Sequence, residues 1–158
     1  EGIARMREIA PFFAPNKATV GATIDGGPGY QGAGYAYPVL IAMEKQDADL
    51  VYNLTKAMVE LFDKYDGKAP GIGGWALAKQ DFEWVVPYHE GAIRYFKEIG
   101  AWTDEAQAHN DKLIARQKAL AAAWGAFQEK AVADDDWSEA WAEARRKALK
   151  DGGFSVVF

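Results

Sequence analysis

The residues best able to do chemistry fall in three places. Gly27-Pro28-Gly29-Tyr30-Gln31-Gly32 spells G-x-G-x-x-G, a pattern that cradles pyrophosphate when it opens a helix and leaves backbone N–H groups free. Here it runs on into residues 35–43, whose Val39-Leu40-Ile41-Ala42-Met43 stretch reads as a buried strand, and Pro28 removes one donor. A dinucleotide site is therefore set aside. Two readings of residues 25–34 stand level: a flexible loop between strands, or a ligand loop. In the second, the glycines let the backbone approach a carboxylate while Tyr30, Gln31 and Tyr35 supply polar contacts. His89-Glu90-Gly91-Ala92-Ile93 begins like the zinc motif H-E-x-x-H, but Ile93 stands where the second histidine is needed. With only His89 and His109 in the chain, no histidine-rich metal site is expected, and His89 is read as a helix cap or packing residue. Asp134-Asp135-Asp136 precede a helical pattern, where carboxylates meet the positive end of the helix dipole. No nucleophile–base pair has supporting context, so neither catalysis nor a cofactor nor a metal is expected.

These residues need elements to hold them. Ile3, Met6 and Ile9 pattern as the end of an amphipathic helix that Pro11 stops. Ala18, Val20, Ala22 and Ile24 alternate over residues 17–24, which predicts a strand. Asp47 can cap a helix whose apolar face is Leu50, Val51, Leu54, Met58, Leu61, Phe62 and Tyr65, closed by Gly67. A glycine- and proline-rich loop covers residues 67–74, and a short helix is expected over 77–84. Another helix begins near His89, buries Ile93, Phe96 and Ile99, and ends at Gly100. Thr103 caps a long helix with Leu113, Leu120, Trp124 and Phe127 on one stripe, reaching about Lys130. A last helix carries Trp137 and Trp141. That four-residue spacing is the spacing of core packing, with a partner-binding face as the sharper alternative. Residues 154–158 could add a strand. Two strands alone are marginal, so a larger sheet is expected.

Bulk composition narrows the function class. The chain has 158 residues, 49% of them hydrophobic, enough for a sizeable core. Six Trp, seven Tyr and eight Phe suit a core and also the wall of a small-molecule cleft. A net charge of −5 and the lack of a dense basic run argue against nucleic acid: Arg145-Arg146-Lys147 sit near Glu139 and Glu143. There is no cysteine, which removes disulfides and thiolate chemistry and says little about compartment. No apolar run approaches the roughly 20 residues that span a bilayer. The start, Glu1-Gly2-Ile3-Ala4-Arg5, lacks a signal-peptide layout and reads as mid-helix, as in a fragment or processed product.

Two stretches together resemble a known family. The first is Gly34-Tyr35-Ala36-Tyr37-Pro38-Val39-Leu40-Ile41-Ala42, followed by Asp49-Leu50-Val51-Tyr52-Asn53-Leu54-Thr55-Lys56-Ala57. The second is Pro87-Tyr88-His89-Glu90-Gly91-Ala92-Ile93-Arg94-Tyr95-Phe96-Lys97-Glu98-Ile99-Gly100. Their order and spacing are similar to the C-terminal half of TAXI-family solute-binding proteins of TRAP transporters. Glu90 stands where that family usually has Pro, and residues 101–158 extend beyond its usual end. The resemblance implies an α/β, helix-rich chain. Residues 1–100 would be part of a type II periplasmic-binding-protein fold with two or three strands, and 101–158 a helical extension. It further implies a periplasmic binder of a small organic anion, an amino acid or a 2-oxo or other carboxylic acid, delivered to membrane permease subunits. Tyr30, Gln31 and Tyr35 would face its cleft. The alternative is a non-catalytic interaction module that self-associates through residues 101–158.

Overall fold

The first element, α1 (Gly2–Ile9), stops two residues before Pro11, its end closed by Ala10 N–H donating to Met6 O at 2.8 Å. Two antiparallel strands follow, β1 (Ala14–Gly21) and β2 (Ile24–Gly34), in the register Ala14↔Gly34 to Ala18↔Tyr30 and then Val20↔Asp25. The computed structural model describes residues 1–21 and 24–157, so Ala22 of the expected alternation and Phe158 of the expected tail strand lie outside the described residues. The register shifts between Ala18 and Val20, opposite residues 26–29 of β2. Gly29 there has φ +72°, and a Cβ on it would lie 2.6 Å from Ala18 O. The glycine-rich motif is thus a bulged strand and not a loop. Its glycines permit the left-handed turn and close approach that the bulge needs.

Residues 35–43 correct a second expectation. They run without secondary structure or a strand partner, through a cis Tyr37–Pro38 peptide, and Ile41 and Met43 are each 80% exposed. An apolar run signals burial against something, and among the described residues no strand lies beside this one to complete a sheet. Residues 154–157 likewise form no strand.

The helices follow their caps. Asp47 Oδ1 accepts Leu50 N–H at 2.8 Å and starts α2 (Ala48–Glu60), which breaks at Leu61 before the single turn α3 (Phe62–Tyr65). Only Val51 of the expected apolar face is buried; Leu50, Leu54 and Leu61 are about half exposed. The face that packs is offset, running through Val51, Tyr52 and Val59. In place of the helix expected over 77–84, two 3₁₀ turns form at Ile72–Trp75 and Leu77–Lys79. Gln80 Nε2 donates to Gly74 O and Ala76 O and closes them.

α4 (Glu90–Glu98) crosses α2 at its own second residue. A Cβ on Gly91 would sit 2.3 Å from Ala48 O and 3.0 Å from Val51 Cβ. The contact buries Val51, Ala92, Tyr95 and Phe96, with Trp102 and Ala106 in the same core and Phe82 and Tyr88 packed on it edge to face. Around this contact Arg94 pairs with Asp49 at 2.6 Å and lies over the Tyr52 ring, 4.3 Å from its centroid. Tyr52 donates its hydroxyl proton to Glu98. Thr103 Oγ1 caps α5 (Asp104–Gln128), as expected, accepting Ala106 N–H at 3.1 Å.

The chain divides into two compact units, 1–106 and 107–158. In the second, a 3₁₀ turn at Asp134–Asp136 leads into α6 (Trp137–Asp151). Trp124, Phe127, Trp137 and Trp141 pack on one another with ring centroids 4.8–6.2 Å apart. Their four-residue spacing serves packing within the unit. Leu149 is fully buried, and Arg116 Nη2 donates to Val157 O at 3.0 Å. Among the described residues no helix is long and apolar enough to cross a membrane.

Candidate functional site

The first unit holds a groove of about 770 Å³, within the roughly 300–1,000 Å³ typical of small-molecule sites. One wall is residues 34–42, the apolar segment that pairs with no strand. A second is the outward side of α2 through Leu54, Thr55 and Met58, and a third is Trp75, Trp84 and residues 86–89. Leu54, about half exposed in the folded chain, therefore has a place here.

Backbone acceptors fix the indoles. Trp75 Nε1 donates to Pro38 O and Trp84 Nε1 to Phe12 O, each at 3.0 Å. The 3₁₀ turn at Ile72–Trp75 can press against Tyr37 because Gly74 has no side chain; a Cβ there would lie 2.5 Å from Tyr37 O. Gly71, at φ +84°, similarly makes room for the Tyr37 ring.

Polar groups are few. Tyr35 and Tyr37 line the groove and are largely exposed. Tyr88 donates its hydroxyl to Asp81 O at 3.2 Å, and burial, then Asp81, pushes its pKa up to about 12. His89 caps α4 as one of its two expected roles: Nδ1 accepts Gly91 N–H at 3.1 Å. The proton of the neutral ring is then on Nε2, a buried atom with no hydrogen-bond partner among the described residues. Lys79 and Asp81 are the charged side chains among the described lining residues.

Of the three residues expected to contact ligand, Tyr35 lines this groove. Tyr30 and Gln31 are exposed on β2, opposite Ala18 and Lys17, outside the lining. Tyr37, Trp75, Trp84 and Lys79 were not singled out from sequence. Tyr37 and Trp75 carried a usable signal, an aromatic beside proline or a glycine pair in irregular chain. Trp84 and Lys79 sit where a helix was expected and gave none.

The NMT1-like family matches residues 3–100, well over half the chain. The chain belongs to the NMT1-like family. This is a family of periplasmic binding-protein type, and a helix-rich chain with a two-stranded sheet is consistent with part of an α/β binding-protein fold. Every lining residue of the groove, from Phe12 to Phe96, falls inside the NMT1-like match. No curated protein and no solved structure matches the chain. Within the NMT1-like region, the two stretches that carry its sequence resemblance meet as the α2–α4 crossing: Asp49 with Arg94, Tyr52 with Glu98, Val51 against Gly91. Most of those residues hold the scaffold. Residues 34–42 and, among others, Leu54, Thr55 and His89 are parts of the resemblance that reach the groove. Among the described residues no group of three or more His, Cys, Asp or Glu is placed to hold a metal.

Proposed function

We propose that this chain is the ligand-holding part of a periplasmic solute-binding protein of the TAXI type, handing a small organic anion to the membrane permease subunits of a TRAP transporter. It binds its cargo without chemical change and without a cofactor. The supporting observation is a groove of about 770 Å³, mainly apolar and aromatic, lying wholly in the stretch matched by a binding-protein family. A ligand that displaces water from such a groove leaves its donors in a water-poor setting, where a charge-assisted hydrogen bond is worth more than in bulk water. Tyr35, Tyr37 and His89 offer hydroxyl and ring N–H groups to a ligand lying between the indoles.

The test is a thermal-shift screen of the purified chain against amino acids, 2-oxo acids and dicarboxylates. Binding to the native state alone raises stability by about 2.7 kcal/mol at a hundredfold excess over Kd, and Trp75 and Trp84 give a fluorescence signal at the groove. The expected result is a saturable rise in Tm with matching quenching for one ligand class. A flat response to all three classes overturns the reading. Fractionation of cells making the native protein tests the compartment, and recovery in the cytoplasm would contradict it.

A further inference from the structure

Residues 39–42 are held at their two ends and nowhere between. At the first end Trp75 Nε1 donates to Pro38 O at 3.0 Å. Tyr37 and Pro38 there lie close against Gly71 and Gly74, which have no Cβ to push them away. At the other end Gln46 N–H donates to Met43 O at 3.0 Å, just before the Asp47 cap of α2. Among the described residues no hydrogen bond reaches residues 39–42 themselves, and no strand pairs with them. Val39, Leu40 and Ile41 are exposed, yet all three line the groove. Leu54, on the α2 side of the same groove, is about half exposed too.

Two apolar surfaces thus border one space. A ligand with an apolar body set between them supplies the contacts that residues 39–42 lack. Folding these residues onto it takes apolar area out of water and breaks no hydrogen bond among the described residues. We propose that residues 39–42 are a strap that closes over a ligand lying against Leu54 and Met58. The strap pivots at Pro38 and Met43, and Trp75 is the positioning residue that fixes the Pro38 pivot. Closure of this kind sequesters the bound molecule and sets how long it stays. This rests on the solute-binding reading and adds the step that retains the cargo.

The test is stopped-flow mixing of the full chain with 8-anilinonaphthalene-1-sulfonate, an aromatic anion that fluoresces when it leaves water. A rigid groove gives one phase whose rate rises linearly with probe concentration. A strap that closes after binding adds a second phase whose rate levels off. Trp75→Phe keeps a ring but loses the bond to Pro38 O. It should speed probe release by roughly three- to tenfold, the scale of one neutral hydrogen bond, and leave the bimolecular slope unchanged. The chain has no cysteine, so Ile41→Cys introduces a single thiol on the strap. Iodoacetamide should alkylate it roughly tenfold or more slowly once the probe is bound, as closure buries it. A thiol from Gln31→Cys, exposed outside the lining, should react at the same rate with and without probe. A single linear phase, or Ile41→Cys alkylated equally fast in both states, overturns the strap and leaves the solute-binding reading standing. A probe that does not bind at all overturns both.

Discussion

His89 joins the scaffold to the groove, since one ring nitrogen caps α4 and the other is a donor without an acceptor among the described residues. The cap can be separated from the ring. His89→Ala should lower stability by about 1 kcal/mol, the usual scale of a lost N-cap, whereas His89→Asn can still accept Gly91 N–H and should recover most of it. Urea melts of the two variants check this, and equal losses would show that packing of the ring dominates. Tyr88 offers a pH test. Its folded pKa, about 12, lies above the ordinary tyrosine value of 10.0, so the folded chain keeps a proton that the unfolded chain releases. Its contribution to stability is complete below about pH 10 and is lost as pH rises toward 12. Tyr52, Tyr65 and Tyr95 are also raised, Tyr52 first by its hydrogen bond to Glu98 and the other two by burial. All four tyrosines therefore share the alkaline decline. Tyr88→Phe should make the fall of Tm between pH 10 and 12 shallower, while losing about 0.5–1.5 kcal/mol at neutral pH with the bond to Asp81 O. An unchanged alkaline slope would show that Tyr88 does not contribute to it.

At the scale of elements, the α2–α4 crossing depends on Gly91. Replacing glycine by alanine in a helix ordinarily gains up to about 1 kcal/mol. Here the new Cβ would meet Ala48 O at 2.3 Å and Tyr52 N at 2.9 Å, both backbone atoms that cannot swing aside. Overpacking of that kind costs about 1–3 kcal/mol, so Gly91→Ala should destabilise the first unit. A more stable variant in chemical denaturation would mean that the helices separate easily. Much of this crossing was legible beforehand, because Asp47, His89 and Gly100 mark helix ends by local chemistry. The buried face of α2 was not. Its apolar residues repeat at three and four all the way round to Leu50 and Leu54, and which of them meets α4 depends on where a helix 40 residues away comes to rest. The 3₁₀ turns over 72–79 were missed for a related reason: Gln80 holds them through carbonyls of Gly74 and Ala76, a closure with no sequence period.

For the molecule as a whole, the segment 35–43 is where local preference and tertiary surroundings part. Its apolar side chains line one side of the groove and leave Ile41 and Met43 largely in solvent. Exposed apolar runs promote association. Ile41→Lys should therefore reduce concentration-dependent scattering while moving stability by no more than about 0.5 kcal/mol; a large loss of Tm would show that Ile41 is packed in solution. Sequence by itself determined most of the helix ends, the packing role of the aromatic spacing in the last two helices, the exclusion of a nucleotide loop and the resemblance to a binding protein, because caps, periodicity and motif order are local properties. Tertiary structure alone decided that the glycine-rich stretch is a bulged strand, that Tyr35 and not Tyr30 or Gln31 reaches the groove, and that Lys79 and Asp81 share its lining. Those outcomes turn on strand register and on turns closed by distant groups, and a shift of one residue in either would point different side chains at the same space.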